Sequence, residues 1–344
     1  MSYRKAPAKK KTPKKKSVVP RKPDGKIDWR KYDKALVERG SITLWIDAEV
    51  VSGWVEEPEL KTRGGQRIYS DSAVASVLMV RSAFHLPLRR AEGFCESFFA
   101  ETGVALPVPD HSTLSRRCGD LEVPLPRALP KGPINVLIDS TGVKVYGEGE
   151  WKVRQHGIGK RRTWLKLHVA IDAATQEVVA SVVSSASVSG DEVFDDLIDQ
   201  IDENIASVGG DGAYDKTKVR AKIEARDAEP RIPPRRDARP QKKPASSPLL
   251  QRALDKRDAA IWRIEELQKV KTNGDLSEAR KLWRQETDYH QRSKVETTMY
   301  RYKTIFGSTV RARTFDNQVK EINLNLVALN RMTRLGIPSS CMTA

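Results

Sequence analysis

Cysteine is scarce in this sequence. The 344 residues contain three, Cys95, Cys118 and Cys341, spaced for neither a metal knuckle nor a disulfide framework. No apolar run approaches the roughly 18 residues that a membrane crossing needs. The basic start has no apolar segment behind it, which speaks against a secretory signal. Apolar residues make up 39%, enough for a core only if the polar excess is confined to tails and insertions. The expectation is a soluble, cytosolic protein with reduced thiols and no membrane partner. Acid is missing too: from Met1 to Pro23 there are about ten Lys or Arg, and the first acid is Asp24.

Positive charge is what the chain has in excess. Lys and Arg outnumber Asp and Glu by 61 to 45, a formal net charge of +16. That surplus suits a polyanionic partner better than a freely diffusing metabolic enzyme. Residues 1–27 are expected to form a disordered basic arm that makes salt-sensitive phosphate contacts through counterion release.

Residues 28–128 carry helical periodicity with short breaks. Leu44, Trp45, Val50, Val51, Trp54 and Val55 recur at helical intervals until Pro58 ends the run. Ser70 is placed to cap a helix over 71–84; a second helix starts at Leu88 and is closed by Gly103. A third runs from His111 to Leu121 and carries Ser112, Thr113, Ser115, Arg116 and Arg117. Hydroxyls and arginines near a helix N-terminus bond phosphates and base edges, so the three helices suit a helix-turn-helix-like DNA-binding domain. The connector ALPVPD is longer than the tight turn of that motif.

Beyond Pro130-Lys131-Gly132-Pro133 the pattern changes to strands. INVLID from Ile134, WLKLHVAID from Trp164, EVVASVVSSA from Glu177, IASVGGD from Ile205 and EPRIPP from Glu229 predict five. A hairpin turn is expected at 172–175, with helices from Asp191 and Lys216. The expectation is an α/β core with a mixed five-stranded sheet flanked by helices, its first part over 129–234. A linker and helical insertion follow over 235–284, closing helices over 285–337 and a tail over 338–344. His168, on the strand face opposite Leu165, Leu167 and Val169, reads as a satisfied sheet histidine.

Asp139 and Asp211 fall where the first and fourth strands are expected to end, the edge at which α/β sheets gather ligands. Gly209, Gly210 and Gly212 leave room there for a metal or phosphate. Far along the chain, YHQRSKVETTMYRYK, read as one helix, sets Tyr289, Arg292, Glu296 and Lys303 within about 60° of arc. The apolar stripe Val295, Met299, Tyr302 and Phe306 lies beside them. Taken alone, Arg292 and Glu296 could be an i,i+4 ion pair. Together with the two aspartates, Glu296 makes a set of three carboxylates able to hold two Mg²⁺ ions, with Mn²⁺ as a substitute. Arg292 and Lys303 would then hold a phosphodiester by charge, while Tyr289 donates to a phosphate or stacks on a base. The basic run up to Trp164, with Lys160, Arg161 and Arg162, offers further phosphate contacts.

The spacing Tyr, two residues, Arg, three residues, Glu, six residues, Lys at 289, 292, 296 and 303 resembles the signature of a large subgroup of bacterial insertion-sequence DDE transposases. The resemblance also takes in YSDSAV, PDHSTLSRR, IDSTGVKVYGEGEW, GDGAYD and ALNRMT, and covers roughly residues 40 to 337. It implies a ribonuclease-H-like catalytic domain in which Asp139, Asp211 and Glu296 are the metal-binding catalytic triad. It also implies terminal inverted repeats and target DNA as double-stranded partners, and a homodimer or larger assembly on DNA. The stretch from about Arg239 to Asn273 departs from the family pattern. Asp139-Ser140-Thr141-Gly142 also matches an aspartic-protease motif, but Gly210-Asp211-Gly212-Ala213 is no second copy. A nuclease of the same fold without strand transfer and a DNA-binding regulator are the alternatives.

Deletion of Met1 to Pro23 is expected to weaken DNA binding and flatten its dependence on salt. A salt titration of binding checks this, and an unchanged slope would show the arm to be idle.

Overall fold

The computed structural model describes residues 22–24, 28–38, 40–41, 45–56, 67–122, 125, 132–145 and 164–336. The basic arm up to Arg21, Leu44, Trp151, the run Lys160-Arg161-Arg162 and the tail from 337 lie outside the described residues. The chain divides into two compact units, Met1–Ser41 with Leu335–Ala344, and Ile42–Arg334. In the first unit the described helix is α1 (Trp29–Glu38), with Trp29 and Val37 exposed.

The second unit opens with four helices, α2 (Ala48–Ser52), α3 (Asp71–Ala83), α4 (Leu88–Thr102) and α5 (His111–Asp120). Local chemistry sets their ends. The Ser70 hydroxyl accepts from the Ala73 N–H at the start of α3, and Gly103 closes α4 in the left-handed region at φ 70°. Then follow β1 (Ile134–Val145), β2 (Trp164–Asp172), β3 (Val178–Ser185), α6 (Phe194–Asp199), β4 (Ile205–Gly209), α7 (Thr217–Ala225) and β5 (Glu229–Arg231). The insertion supplies α8 (Pro248–Val270) and α9 (Leu276–Glu286). The chain closes with α10 (Ser293–Phe306), β6 (Thr309–Val310) and α11 (Phe315–Gly336).

Six strands form one mixed sheet in the order β3-β2-β1-β4-β5, with β6 joining β1. The first three are antiparallel, and β4 and β6 both run parallel to β1. A mixed sheet flanked by helices is consistent with the ribonuclease-H-like expectation; the sixth strand is additional to the five read from sequence. The first strand is also longer than INVLID predicts, because Thr141, Val143 and Val145 sustain β geometry past Asp139. Its far half is shared unevenly. β4 pairs only up to Leu137 and β6 only from Lys144, so the edge of β1 between them has no strand partner among the described residues.

Each sheet face buries its own core. On one, Ile134, Val136, Ile138 and Ala170 pack with Phe194 and Leu197 of α6 and Val219 and Ile223 of α7. On the other, Leu137, Leu165, Leu167 and Val169 pack with Val295 and Tyr302 of α10, Leu326 and Leu329 of α11, and Val77 and Leu114 of the helical segment. The helical segment and the sheet thus share a core. α3 buries Ala73, Val74, Ser76, Val77, Leu78, Met79 and Val80, so it is covered on nearly every side. Polar ties reinforce the junction: Arg311 donates to the His85 carbonyl at 2.7 Å and Lys320 to the Leu121 carbonyl at 2.6 Å. Asn330 of α11, fully buried, accepts from the Val178 N–H and donates to its carbonyl, both at 2.8 Å.

His168 is fully buried, with Nε2 3.0 Å from the Ser184 hydroxyl and Nδ1 without a partner among the described residues. It is half satisfied, short of the satisfied histidine expected. Burial, with Lys166 adding to it, pushes its pKa down from 6.5 to about 4. A folded-state value below the unfolded one stabilises the fold above pH 6.5, and the contribution is lost as pH falls through 6.5 towards 4. Urea unfolding between pH 7 and 4 should show the wild-type chain losing about 3 kcal/mol more than His168→Gln.

Candidate active site

The parallel pairing of β1 with β4 sets Leu137 opposite Gly209. Two residues further along each chain stand Asp139 and Asp211, so the register brings both acids to one place between strands about 4.8 Å apart. Asp139 does not end its strand, as expected from sequence; it lies within β1 opposite Val169 of β2. The open edge of β1 beyond β4 gives it access all the same. Asp211 follows β4 and caps the 3-10 turn Gly212–Tyr214, accepting from the Ala213 N–H at 2.9 Å.

α10 buries Val295, Met299, Tyr302 and Phe306, as the apolar stripe predicts, and carries Glu296 and Lys303 beside them. The helix begins only at Ser293. Tyr289 and Arg292 lie on a preceding 3-10 turn, Tyr289–Arg292, entered through Asp288 at φ 56°, so the four groups do not share one helix. The turn has a specific result. Arg292 donates to Glu296 Oε1 at 2.7 Å and to Asp139 Oδ2 at 3.0 Å. One guanidinium therefore joins a sheet acid to a helix acid, and the i,i+4 pair is one arm of a three-residue bridge.

Burial and neighbouring charge both act on this cluster. Burial pushes the Asp139 carboxyl above the ordinary carboxylate range; Asp211 and Glu296 add to the shift, and the Ser140 N–H and Arg292 do not cancel it. Burial opposes the charge on Arg292, yet Asp139 foremost raises its pKa. Tyr214, unnoticed in the sequence, is buried beside the acids with no partner for its hydroxyl among the described residues, and burial with Asp139 and Asp211 holds the phenol protonated. Its signal was present in GDGAYD, one turn after Asp211.

No three His, Cys, Asp or Glu side chains among the described residues converge closely enough to hold a metal ion. In their place Arg292 is the cation between Asp139 and Glu296. The donor set is nevertheless all carboxylate oxygen and under-neutralised, which fits a hard divalent cation. The glycines do not simply leave space for one. A Cβ at Gly209 would meet Leu137 Cδ2 at 2.8 Å, and one at Gly210 would press on the Tyr214 ring at 3.0 Å. Both permit close packing, whereas a Cβ at Gly212 would make only ordinary contact with the Pro233 carbonyl, at 3.8 Å.

The remaining sequence-predicted residues are dispersed. Tyr289 is half-buried, its ring 6.5 Å from Trp283 and under the Arg284 guanidinium at 5.4 Å. Trp164 opens β2 with the Lys144 ammonium 5.5 Å from its ring. On α5, the Ser112 and Thr113 hydroxyls both donate to Asp110, at 2.5 and 2.7 Å, while Ser115 and Arg116 are exposed. Arg117 corrects the sequence reading. Its guanidinium turns inward to the Tyr69 carbonyl at 2.9 Å and Asp71 at 2.5 Å. Leu114, Arg117, Cys118 and Leu121 follow i, i+3, i+4, i+7 spacing, which placed Arg117 on the buried stripe. Arg117→Ala is expected to lower the unfolding free energy by about 1–3 kcal/mol, and Arg116→Ala by less than about 0.5 kcal/mol, in urea titrations.

Two family models, each described as a transposase DDE domain, match the chain, one over residues 130–331 and the other over 37–148. No solved structure matches it significantly. The first match alone spans more than half of the chain and contains Asp139, Asp211 and Glu296. DDE transposase domains normally use divalent metal ions. The chain belongs to the DDE transposases of insertion sequences, metal-dependent enzymes that cut and join DNA.

Proposed function

We propose that this transposase hydrolyses phosphodiesters at the ends of its element and joins the freed 3′-hydroxyl to target DNA. The observation that carries the reading is the bridge from Asp139 through Arg292 to Glu296, with Asp211 nearby, just beyond the parallel strand β4. Asp139, Asp211 and Glu296 would hold two divalent ions, Mg²⁺ being favoured by an all-oxygen donor set. Such a pair supplies charge stabilisation for both the attacking and the leaving oxygen of an in-line displacement at phosphorus. Cutting and joining make the same demand, because water attacks in one and a 3′-hydroxyl in the other.

The other residues position the strand. Arg292, released from the two acids, holds a non-bridging phosphate oxygen, and Lys303 reaches the same strand from the flank of α10. Burial raises the Tyr289 phenol above its ordinary range, so the hydroxyl stays protonated and donates to phosphate rather than acting as a nucleophile. No covalent protein–DNA intermediate is needed. Tyr289, Arg292, Glu296 and Lys303 thus act as the subgroup signature implies. Ser115 and Arg116, exposed on α5, contact the terminal repeats in this reading, with at least two copies assembling to pair two element ends.

Asp139→Asn, Asp211→Asn and Glu296→Gln are each expected to lower strand cleavage by about 10³-fold or more while DNA binding persists. Cleavage and joining assays on duplexes carrying the element ends check this. Any one of these variants cutting near the wild-type rate would remove its residue from the triad.

A further inference from the structure

The insertion presents a cleft that the catalytic reading leaves unused. It has a volume of about 390 Å³ and is lined by Arg236, Leu276, Ser277, Arg280 and Arg284. Arg236 comes from the loop after β5, and the other four from α9. Arg280 is fixed by donating to the Pro234 carbonyl. No carboxylate among the described residues forms an ion pair with Arg236, Arg280 or Arg284. Burial lowers the pKa of Arg280, and Arg284 and Arg236 lower it further, with the charge of Asp215 opposing without cancelling them. Cations of α8 by contrast include neutralised ones: Arg263 pairs with Glu266 and Glu286, and Lys256 with Glu224. Three unneutralised guanidinium groups around one concavity repel each other unless an anion lies between them.

The cleft adjoins the acid cluster. Arg284 lies over the ring of Tyr289, which begins the turn ending in Arg292, and Arg292 reaches Asp139 at 3.0 Å. We propose that the Arg236, Arg280 and Arg284 cleft holds backbone phosphates of the DNA strand flanking the bond that is cut. Guanidinium groups suit this because their planar donor forks match phosphate oxygens, and Ser277 adds a hydroxyl. The insertion then acts as a clamp on the strand, and Tyr289 links the clamp to the reacting bond. The proposal rests on the reading of this site as a DNA-cutting one.

The test is a salt titration of binding by the full chain to a fluorescent duplex carrying an element end, followed by anisotropy. Arg236→Gln with Arg284→Gln should flatten the slope of log K against log[salt] by about 0.9 for each phosphate that is no longer neutralised. Lysine at both positions should restore most of the slope, since it keeps the charge. Arg236→Gln alone, at an exposed residue with no hydrogen bond or ion pair among the described residues, supplies a variant that folds should the double variant fail to. A slope unchanged in these variants, with wild-type affinity, would overturn the clamp and leave the active-site reading standing. Absence of salt-dependent DNA binding by the wild-type chain would instead overturn the DNA reading itself. If inorganic phosphate raises the melting temperature of the wild-type chain but not of the double variant, and the DNA slopes agree, the cleft takes free phosphate and the proposal falls.

Discussion

Parallel pairing between β1 and β4 is the constraint on which the site depends. With Leu137 opposite Gly209, two aspartates 72 residues apart in the sequence are brought near each other by strand register. A slip of one residue would turn one carboxylate to the opposite face of the sheet. The close fit at Gly209 guards against that slip, since any side chain there would meet Leu137. The same strand then runs beyond the end of β4, leaving an edge with no strand partner among the described residues, and Arg292 reaches Asp139 there. The opening and the acids therefore come from a single length mismatch between neighbouring strands.

Arg292 organises the site through charge. Packing of α10 fixes where Glu296 stands, but the guanidinium draws Glu296 and Asp139 to one point. A cluster of three acids would repel itself apart in a protein interior. One arginine reduces that repulsion, while burial above all keeps the Asp139 pKa raised. The scaffold for chemistry is thus folded and partly neutral before substrate arrives. Across Tyr289, the insertion continues the positive field away from the acids.

Much of this architecture was legible in the residues. β-branched runs marked β1 to β4, Ser70 and Gly103 marked helix ends, and the signature spacing singled out the acid on α10. What was missed depends on contacts between distant segments. The extent of β1 is decided partly by β6, a two-residue strand too short to signal itself. The start of α10 is displaced by a 3-10 turn whose left-handed entry at Asp288 has no strong local mark. Arg117 was legible and misread: its neighbours Leu114, Cys118 and Leu121 defined an inward face, but an arginine suggested a surface. The arginine cleft joins a loop at 236 to a helix at 276–284, and linear spacing does not reveal it.

The shared core has a consequence for how such a gene decays. α11 comes last, yet it covers part of one face of the sheet and satisfies both backbone groups of Val178 through Asn330. A premature stop that removes α11 uncovers part of that apolar face and leaves the backbone of β3 unpaired at that point. Because the early helices rest on the same core, they lose their support as well. Truncated copies are therefore expected to be cleared by proteolysis, and not to persist as DNA-bound competitors of the intact enzyme.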